Sequence, residues 1–86
     1  MQIEIFETMG YTTPTDFDAL LINLHKKGAG VKINKIDIMD SAKIKPHKDV
    51  ISLLKKDGLD ILPVIKVDGK LMSAQKANQL IIKKLG

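Results

Sequence analysis

The chain has 86 residues, of which 44% are hydrophobic, and a formal net charge of +4. This length suits one small domain, and this hydrophobic content excludes a disordered chain. No apolar run approaches the roughly 20 residues that a membrane span requires, and no signal peptide is recognisable at the start of the sequence. We therefore expect one soluble, cytoplasmic domain over residues 1–86.

The charge and the missing residue types narrow the function further. All 14 basic residues are lysines, and aromatic residues make up only 3% of the chain. Proteins that read nucleic acids usually use arginine forks and stacking aromatic rings, so the composition argues against a nucleic-acid partner. Cysteine is absent, which excludes disulfides, thiolate metal sites and thiol redox chemistry by this chain.

The first half of the sequence predicts a strand, a helix and a second strand. Alternating apolar residues indicate a strand over residues 2–8, and a loop containing glycine and proline follows over residues 9–15. Thr15 is the predicted N-cap of the first helix. The helix has one apolar stripe, which we expect Ala19 and Ile22 to widen; the stripe consists of Phe17, Leu20, Leu21 and Leu24. The next strand, residues 31–38, changes the phase of its apolar residues, which predicts an edge strand with a bulge near Asn34 and Lys35.

The second half predicts a helix, a hairpin and a final helix. Residues 39–45 form a polar connection, and Pro46 is the predicted first residue of a helix that ends at Gly58. The strands 62–67 and 70–72 are joined by Asp68-Gly69, a strong hairpin signal. Ser73 is the predicted cap of the last helix. The element order is therefore β-α-β-α-β-β-α, an α/β fold.

This element order, with Pro63 ahead of the third strand, resembles the thioredoxin fold. The resemblance implies a four-stranded mixed sheet of order 2-1-3-4 with three helices on its two faces. It also implies a cis peptide before Pro63, and it implies that this proline faces the start of the first helix.

A closer resemblance is to the ArsD family, thioredoxin-fold arsenic metallochaperones that also act as weak operon repressors. The family pattern V-x-x-x-L-x-x-x-G-x-D-x-L-P-x-x-x-V-D-G is matched without a gap from Val50 to Gly69. The strand Ile3–Phe6 and the Lys-Lys-Gly at 26–28 are also similar to the family. The resemblance implies an ArsA-type ATPase as partner.

The chain departs from both families at the loop before the first helix. ArsD proteins bind As(III) or Sb(III) there through three cysteines, whereas this loop reads M-G-Y-T-T-P-T. Thr12-Thr13-Pro14-Thr15 resembles the thioredoxin Cys-Gly-Pro-Cys with threonine at both cysteine positions. A threonine hydroxyl is neither a soft metal ligand nor acidic enough for thiol-like chemistry near neutral pH.

We therefore predict a protein without catalytic residues, cofactor or metal, which binds a partner through one face. The predicted face comprises Gly10, Tyr11, Thr12, Thr13, Pro14, Thr15, Leu62, Pro63 and Val64. The predicted partner is an ArsA-type ATPase or a second copy of this chain. One alternative is an arsenic or antimony metallochaperone, or a redox protein, whose native form has cysteines in the loop. A weaker alternative is an operon repressor.

The other residues that could bind a metal or catalyse a reaction have simpler interpretations. His25 and His47 each fall near a helix end without metal-ligand spacing, so we interpret both as surface histidines. Met9 and Met72 are predicted to fill the core. No pair of carboxylates or catalytic triad has usable spacing.

Overall fold

The computed structural model describes residues 1–85. It contains four strands and four α-helices in this range, together with one 3₁₀ turn at Leu59–Ile61. The elements are β1 (Gln2–Glu7), α1 (Thr15–Lys26), β2 (Lys32–Asp37), α2 (Ser41–Ile44), α3 (Lys48–Asp57), β3 (Val64–Val67), β4 (Lys70–Ser73) and α4 (Ala74–Leu85).

The four strands form one mixed sheet of order β2-β1-β3-β4. β1 and β2 are parallel, whereas β3 is antiparallel to both β1 and β4. The predicted sheet order is confirmed, but the predicted count of three helices is wrong. No helix in the described range is long and apolar enough to cross a bilayer.

The sheet separates two hydrophobic clusters, because successive side chains of a strand point to opposite faces. The first cluster lies under α1 and α4 and is centred on Ile3, Ile5, Phe17, Leu21, Leu24, Ile65, Val67, Ala77 and Ile81. The second lies on the face next to α2 and α3 and is centred on Phe6, Ile36, Ile44, Val50, Leu62 and Val64. Both faces of this small sheet are therefore covered.

The two clusters explain why the predicted bulge in β2 is wrong. β2 pairs with β1 in one continuous register from Lys32 to Asp37. Ile33 packs against the first cluster, whereas Ile36 belongs to the second. The change of apolar phase reflects two covered faces. The predicted edge position of β2 is confirmed.

The connection after β2 also differs from the prediction. Residues 41–44 form the short helix α2, whose start is capped by the Asp40 carboxylate accepting from the Lys43 N–H at 3.3 Å. Pro46 lies between the helices, and α3 begins at Lys48 with His47 as its N-cap. The predicted helix therefore begins at Lys48 instead of Pro46, and the short helix α2 is an additional element that was not predicted.

Two smaller boundaries shift as well. Pro14, not Thr15, is the N-cap of α1. β3 begins at Val64 instead of residue 62, because the Leu62 N–H donates to Leu59 O at 3.0 Å in the 3₁₀ turn. Ala19 is exposed and Ile22 is 56% exposed, so neither widens the buried stripe of α1. The predicted cap at Ser73 is confirmed, since its Oγ accepts from the Lys76 N–H.

Candidate functional site

The loop after β1 begins with a tight turn. Thr8 and Tyr11 form an isolated antiparallel bridge, and the Tyr11 N–H donates to Thr8 O at 2.9 Å. Gly10 has a φ of +85°, a conformation that glycine adopts without steric cost. Met9 sits at the apex of this turn with 93% of its surface exposed. The turn therefore presents an apolar side chain to solvent.

The Pro63 corner lies at the same end of the sheet as this turn. Val64 pairs with Phe6, so Pro63 comes beside the last residues of β1. Tyr11 packs against the second cluster, to which Leu62 and Val64 belong. The Leu62–Pro63 peptide is cis, as the resemblance implied. Tyr11, Leu62 and Val64 therefore share one hydrophobic cluster at this end of the sheet.

Only part of the predicted corner is open to a partner. The side chains of Leu62 and Val64 are buried, and Pro63 is half-buried. The Leu62 N–H is already bonded to Leu59 O. Pairing of a peptide with this corner is therefore restricted to the groups that the 3₁₀ turn leaves free.

The threonines of the loop do not act alike. Thr13 is buried, and its hydroxyl donates a short hydrogen bond to the Asp18 carboxylate. Thr12 and Thr15 are exposed. Thr13 therefore holds the loop against α1, and it is not part of an open face.

Pro14 lies at the start of α1 and is exposed. It lines a cleft of about 280 Å³ formed with the first turns of α1 and α4; the other lining residues are Asp16, Phe17, Ala74, Gln75 and Asn78. Pro14 therefore contacts the cleft between the starts of α1 and α4.

The start of α1 is not arranged to hold an anion. Asp16 and Asp18 lie in the first turn, and the Asp16 carboxylate accepts from the Phe17 N–H at 3.0 Å. Negative side chains at a helix start occupy the positive end of its dipole. An anionic ligand would meet two carboxylates here.

Two exposed methionines extend the face beyond the predicted residues. Met9 was predicted to fill the core and is instead almost fully exposed, whereas Met72 packs against the first cluster as predicted. Met39, in the loop after β2, is 75% exposed. The Ile38 N–H donates to Glu7 O at 3.0 Å, which brings the loops that carry Met9 and Met39 to the same end of the sheet. The sequence did not single out Met39; its place in the loop directly after β2, at this end of the sheet, is the signal that could have indicated it.

One buried oxygen lies beside this face. Glu7 ends β1, and its Oε1 is buried without a hydrogen-bond partner among the described residues. A buried acceptor that lacks a donor lowers stability until a donor reaches it. The end of β1 therefore contains an unmet acceptor next to Thr8.

A polar cluster that the sequence did not reveal lies on the other part of the sheet. Lys66 is 9% exposed, and its Nζ lies 3.0 Å from Asp49 Oδ1 and 3.1 Å from His47 Nδ1. His47 Nε2 lies 3.5 Å from Glu4 Oε2, and the ring meets Phe6 edge-on. The prediction of His47 as a surface residue is therefore wrong. Only three-dimensional pairing joins these residues, since Glu4 and Lys66 are opposite each other in β1 and β3.

The cluster lowers the pKa of Asp49. Burial by itself would raise this pKa, but the hydrogen bonds from Lys66 and the Val50 N–H, together with the charge of Lys66, outweigh it. The Lys66 ammonium donates to Nδ1 of His47, which leaves Nε2 as the N–H that faces Glu4. The four groups thus satisfy one another.

No group of three or more metal-ligating side chains occurs within residues 1–85. Searches against protein-family models, curated proteins and solved structures find no match to this chain.

Proposed function

We propose that this chain is a thioredoxin-like, ArsD-related domain that acts by binding a protein partner and not by catalysis. Its docking face consists of Met9, Gly10, Tyr11, Met39 and Pro63. The observation that carries the proposal is the exposure of Met9 and Met39 on neighbouring loops beside the half-buried Tyr11.

The composition of the docking face favours a protein surface as its ligand. Methionine and tyrosine are enriched at protein interfaces, and methionine adapts to irregular surfaces. Burying one methionine side chain contributes about 1.5–3 kcal/mol. Met9 retains 93% of its exposure in the free chain. Nearly all of that contribution is therefore available to a complex.

The topology also supports this location. In α/β sheets, ligands bind beyond the carboxyl ends of parallel strands, where connections leave towards opposite faces. The loops after β1 and β2 lie at that end, and α1 and α3 cover opposite faces of the sheet.

The sequence pattern suggests the partner. The uninterrupted match to the ArsD pattern between Val50 and Gly69 favours an ArsA-type ATPase, with a second copy of this chain as the other candidate. An ATPase complex needs no thiol on this chain if the chain regulates the ATPase and does not load it with metalloid.

Calorimetric titration of the chain into a purified ArsA-type ATPase tests the proposal. Met9→Ser and Tyr11→Ala are each expected to weaken binding about tenfold or more, because each removes apolar area from the docking face. Ile82→Ser is the matched control, since Ile82 is half exposed near the end of α4. Equal affinity of all three variants for the ATPase would refute the docking face. So would a chain that does not bind the ATPase and also stays monomeric at every concentration.

The metallochaperone alternative makes a different prediction for the same protein. Equilibrium dialysis against As(III) is expected to show no retention by this chain, because hydroxyl groups are poor ligands for a soft metalloid. Retention by the double variant Thr12→Cys, Thr15→Cys alone would favour an ancestor with cysteines in the loop. Retention by the unaltered chain would overturn our proposal.

A further inference from the structure

The outer edge of β2 has no strand paired to it within residues 1–85. The Lys32 N–H donates to Met1 O, and the Ile38 N–H donates to Glu7 O. Backbone groups alternate along a parallel strand, so the even-numbered residues of β2 face β1. The N–H and C=O of Ile33 and Lys35 therefore point outward, as does the N–H of Asp37. The Asp37 C=O accepts from Asp40 and is not available.

A groove flanks this edge on each face of the sheet. On the α1 side, a groove of about 580 Å³ is largely apolar; it is lined by Asp18, Leu21, Ile22, His25, Lys26, Ile33 and Lys35. On the α2 side, a groove of about 330 Å³ is more polar; it is lined by Glu4, Asn34, Lys35, Ile36, Ala42, Lys43, Pro46 and His47. A strand added beside β2 would direct alternate side chains into the two grooves.

The charges beside the edge select among possible occupants. Lys32 and Lys35 lie on β2, and Lys26 and Lys43 line the two grooves. Three carboxylates oppose them: Asp37 on β2, Asp18 in the apolar groove, and Glu4, which already faces His47. Lysines on an edge strand disfavour pairing with a copy that carries the same lysines. The same lysines favour an acidic segment.

We propose that the β2 edge binds an acidic, extended segment of a partner protein by strand addition, with apolar side chains in the α1 groove and carboxylates in the α2 groove. Main-chain hydrogen bonds to Ile33 and Lys35 supply the pairing, as in other cases of strand addition. Ile22, 56% exposed on α1, closes over the apolar side chains. This surface is separate from the docking face and does not depend on the proposed function.

A designed peptide provides the probe. The peptide has seven residues of alternating glutamate and valine and carries a fluorescein label. Its binding to the chain is measured by fluorescence anisotropy at low salt. Binding is expected, and a peptide with lysine in place of glutamate is expected to bind on the order of tenfold or more weakly, because its charges repel those of the edge. Equal affinity for the two peptides would refute the charge selection.

A pair of substitutions at one position separates backbone pairing from charge. Lys35→Ala keeps the outward N–H and removes the charge, whereas Lys35→Pro removes both without breaking a hydrogen bond to β1. We expect a several-fold loss of affinity for Lys35→Ala and a further loss on the order of tenfold for Lys35→Pro. Lys70→Ala is the matched control, because it removes one exposed lysine from β4 at the opposite edge of the sheet, and it should bind the peptide unchanged. Equal losses for the two Lys35 variants would refute strand addition.

Hydrogen exchange on the unaltered chain gives a test that does not depend on the folding of Lys35→Pro. The amides of Ile33 and Lys35 should exchange rapidly in the free chain and slowly with peptide bound. Those of Asn34 and Ile36 should be protected in both states, since they face β1. Unchanged exchange at Ile33 and Lys35 with saturating peptide, or a dimer that pairs through β2 in sedimentation equilibrium, would overturn the proposal.

Discussion

Lys66 shows how this small protein places a charged residue at the centre of its sheet. An ammonium group that loses most of its hydration needs several acceptors. Here Asp49 and His47 accept from it, and Phe6 lies with its ring centroid 5.6 Å from Nζ. Because the Asp49 side chain is half exposed, the Lys66 ammonium forms its ion pair at the margin of the core.

The lowered pKa of Asp49 gives a pH-dependent contribution to stability. Since this pKa is lower in the folded chain than its ordinary value of 3.8, the contribution is complete above 3.8 and is lost as the pH falls through the folded value. Asp49→Asn should therefore be less stable than the unaltered chain at neutral pH, and the difference should shrink below that value. Urea unfolding at about pH 7 and about pH 2.5 measures it.

A second background checks the cause of this effect. Lys66→Met removes the donor and the charge that outweigh burial, so Asp49→Asn in that background should have a smaller dependence on pH. In the chain that keeps Lys66, a loss of stability on Asp49→Asn that is the same at both pH values would contradict the role of this pair.

At single residues, the sequence predicted positions better than it predicted exposure. Tyr11 and Pro63 lie at the same end of the sheet, because the topology fixes where the loop after β1 and the start of β3 fall. Thr13 was predicted to be open, but its hydroxyl is held by Asp18. Met9 was predicted to be buried and is exposed. Hydrophobicity alone does not say whether a loop side chain meets the core or a partner.

Among the elements, the β3–β4 hairpin is the one that its local sequence determines most strongly. Asp68 and Gly69 both have positive φ, at 49° and 85°, as the predicted two-residue turn requires. The Asp68 carboxylate also accepts from the Gln2 N–H at 2.8 Å, which connects the turn to β1.

Gly69→Ala should destabilise the protein by about 1–2 kcal/mol, the cost of a left-handed conformation for an L-residue. An added Cβ would meet nothing within 4 Å, so the backbone conformation alone causes the loss. Thermal and urea unfolding measure it. Lys70→Ala, at the next and exposed position, should change stability by less than about 0.5 kcal/mol. Equal effects of the two changes would contradict the turn assignment.

The elements that were predicted incorrectly are those whose neighbours are distant in sequence. The regular register of β2 depends on two covered faces, which no local pattern reveals. The helix α2 has only four residues, so its start depends on the Asp40 cap more than on apolar periodicity. Pro46 was predicted to begin the following helix, which instead begins at Lys48 with His47 as its N-cap.

For the whole molecule, the two small clusters imply a low free energy of unfolding. Small domains are stable by only about 5–15 kcal/mol, and the sheet here is covered by few side chains on each face. Ile81, fully buried between α4 and the sheet, belongs to the first cluster, whereas its neighbour Ile82 is half exposed.

Ile81→Ala should cost about 2–5 kcal/mol, because it opens a cavity that the surrounding side chains cannot fill. Ile82→Ala should change stability by no more than about 0.5 kcal/mol. Urea unfolding of the two variants compares them directly. A small loss for Ile81→Ala would mean that α4 can move to close the cavity.

Tyr11 is the only tyrosine of a chain that has no tryptophan. Its ring packs against the second cluster, and it belongs to the proposed docking face. Excitation in the near ultraviolet therefore produces emission from a single phenol, with no indole to absorb the energy. Any tryptophan-free ligand that covers this ring should alter the signal, so the native chain reports its own occupancy without a dye.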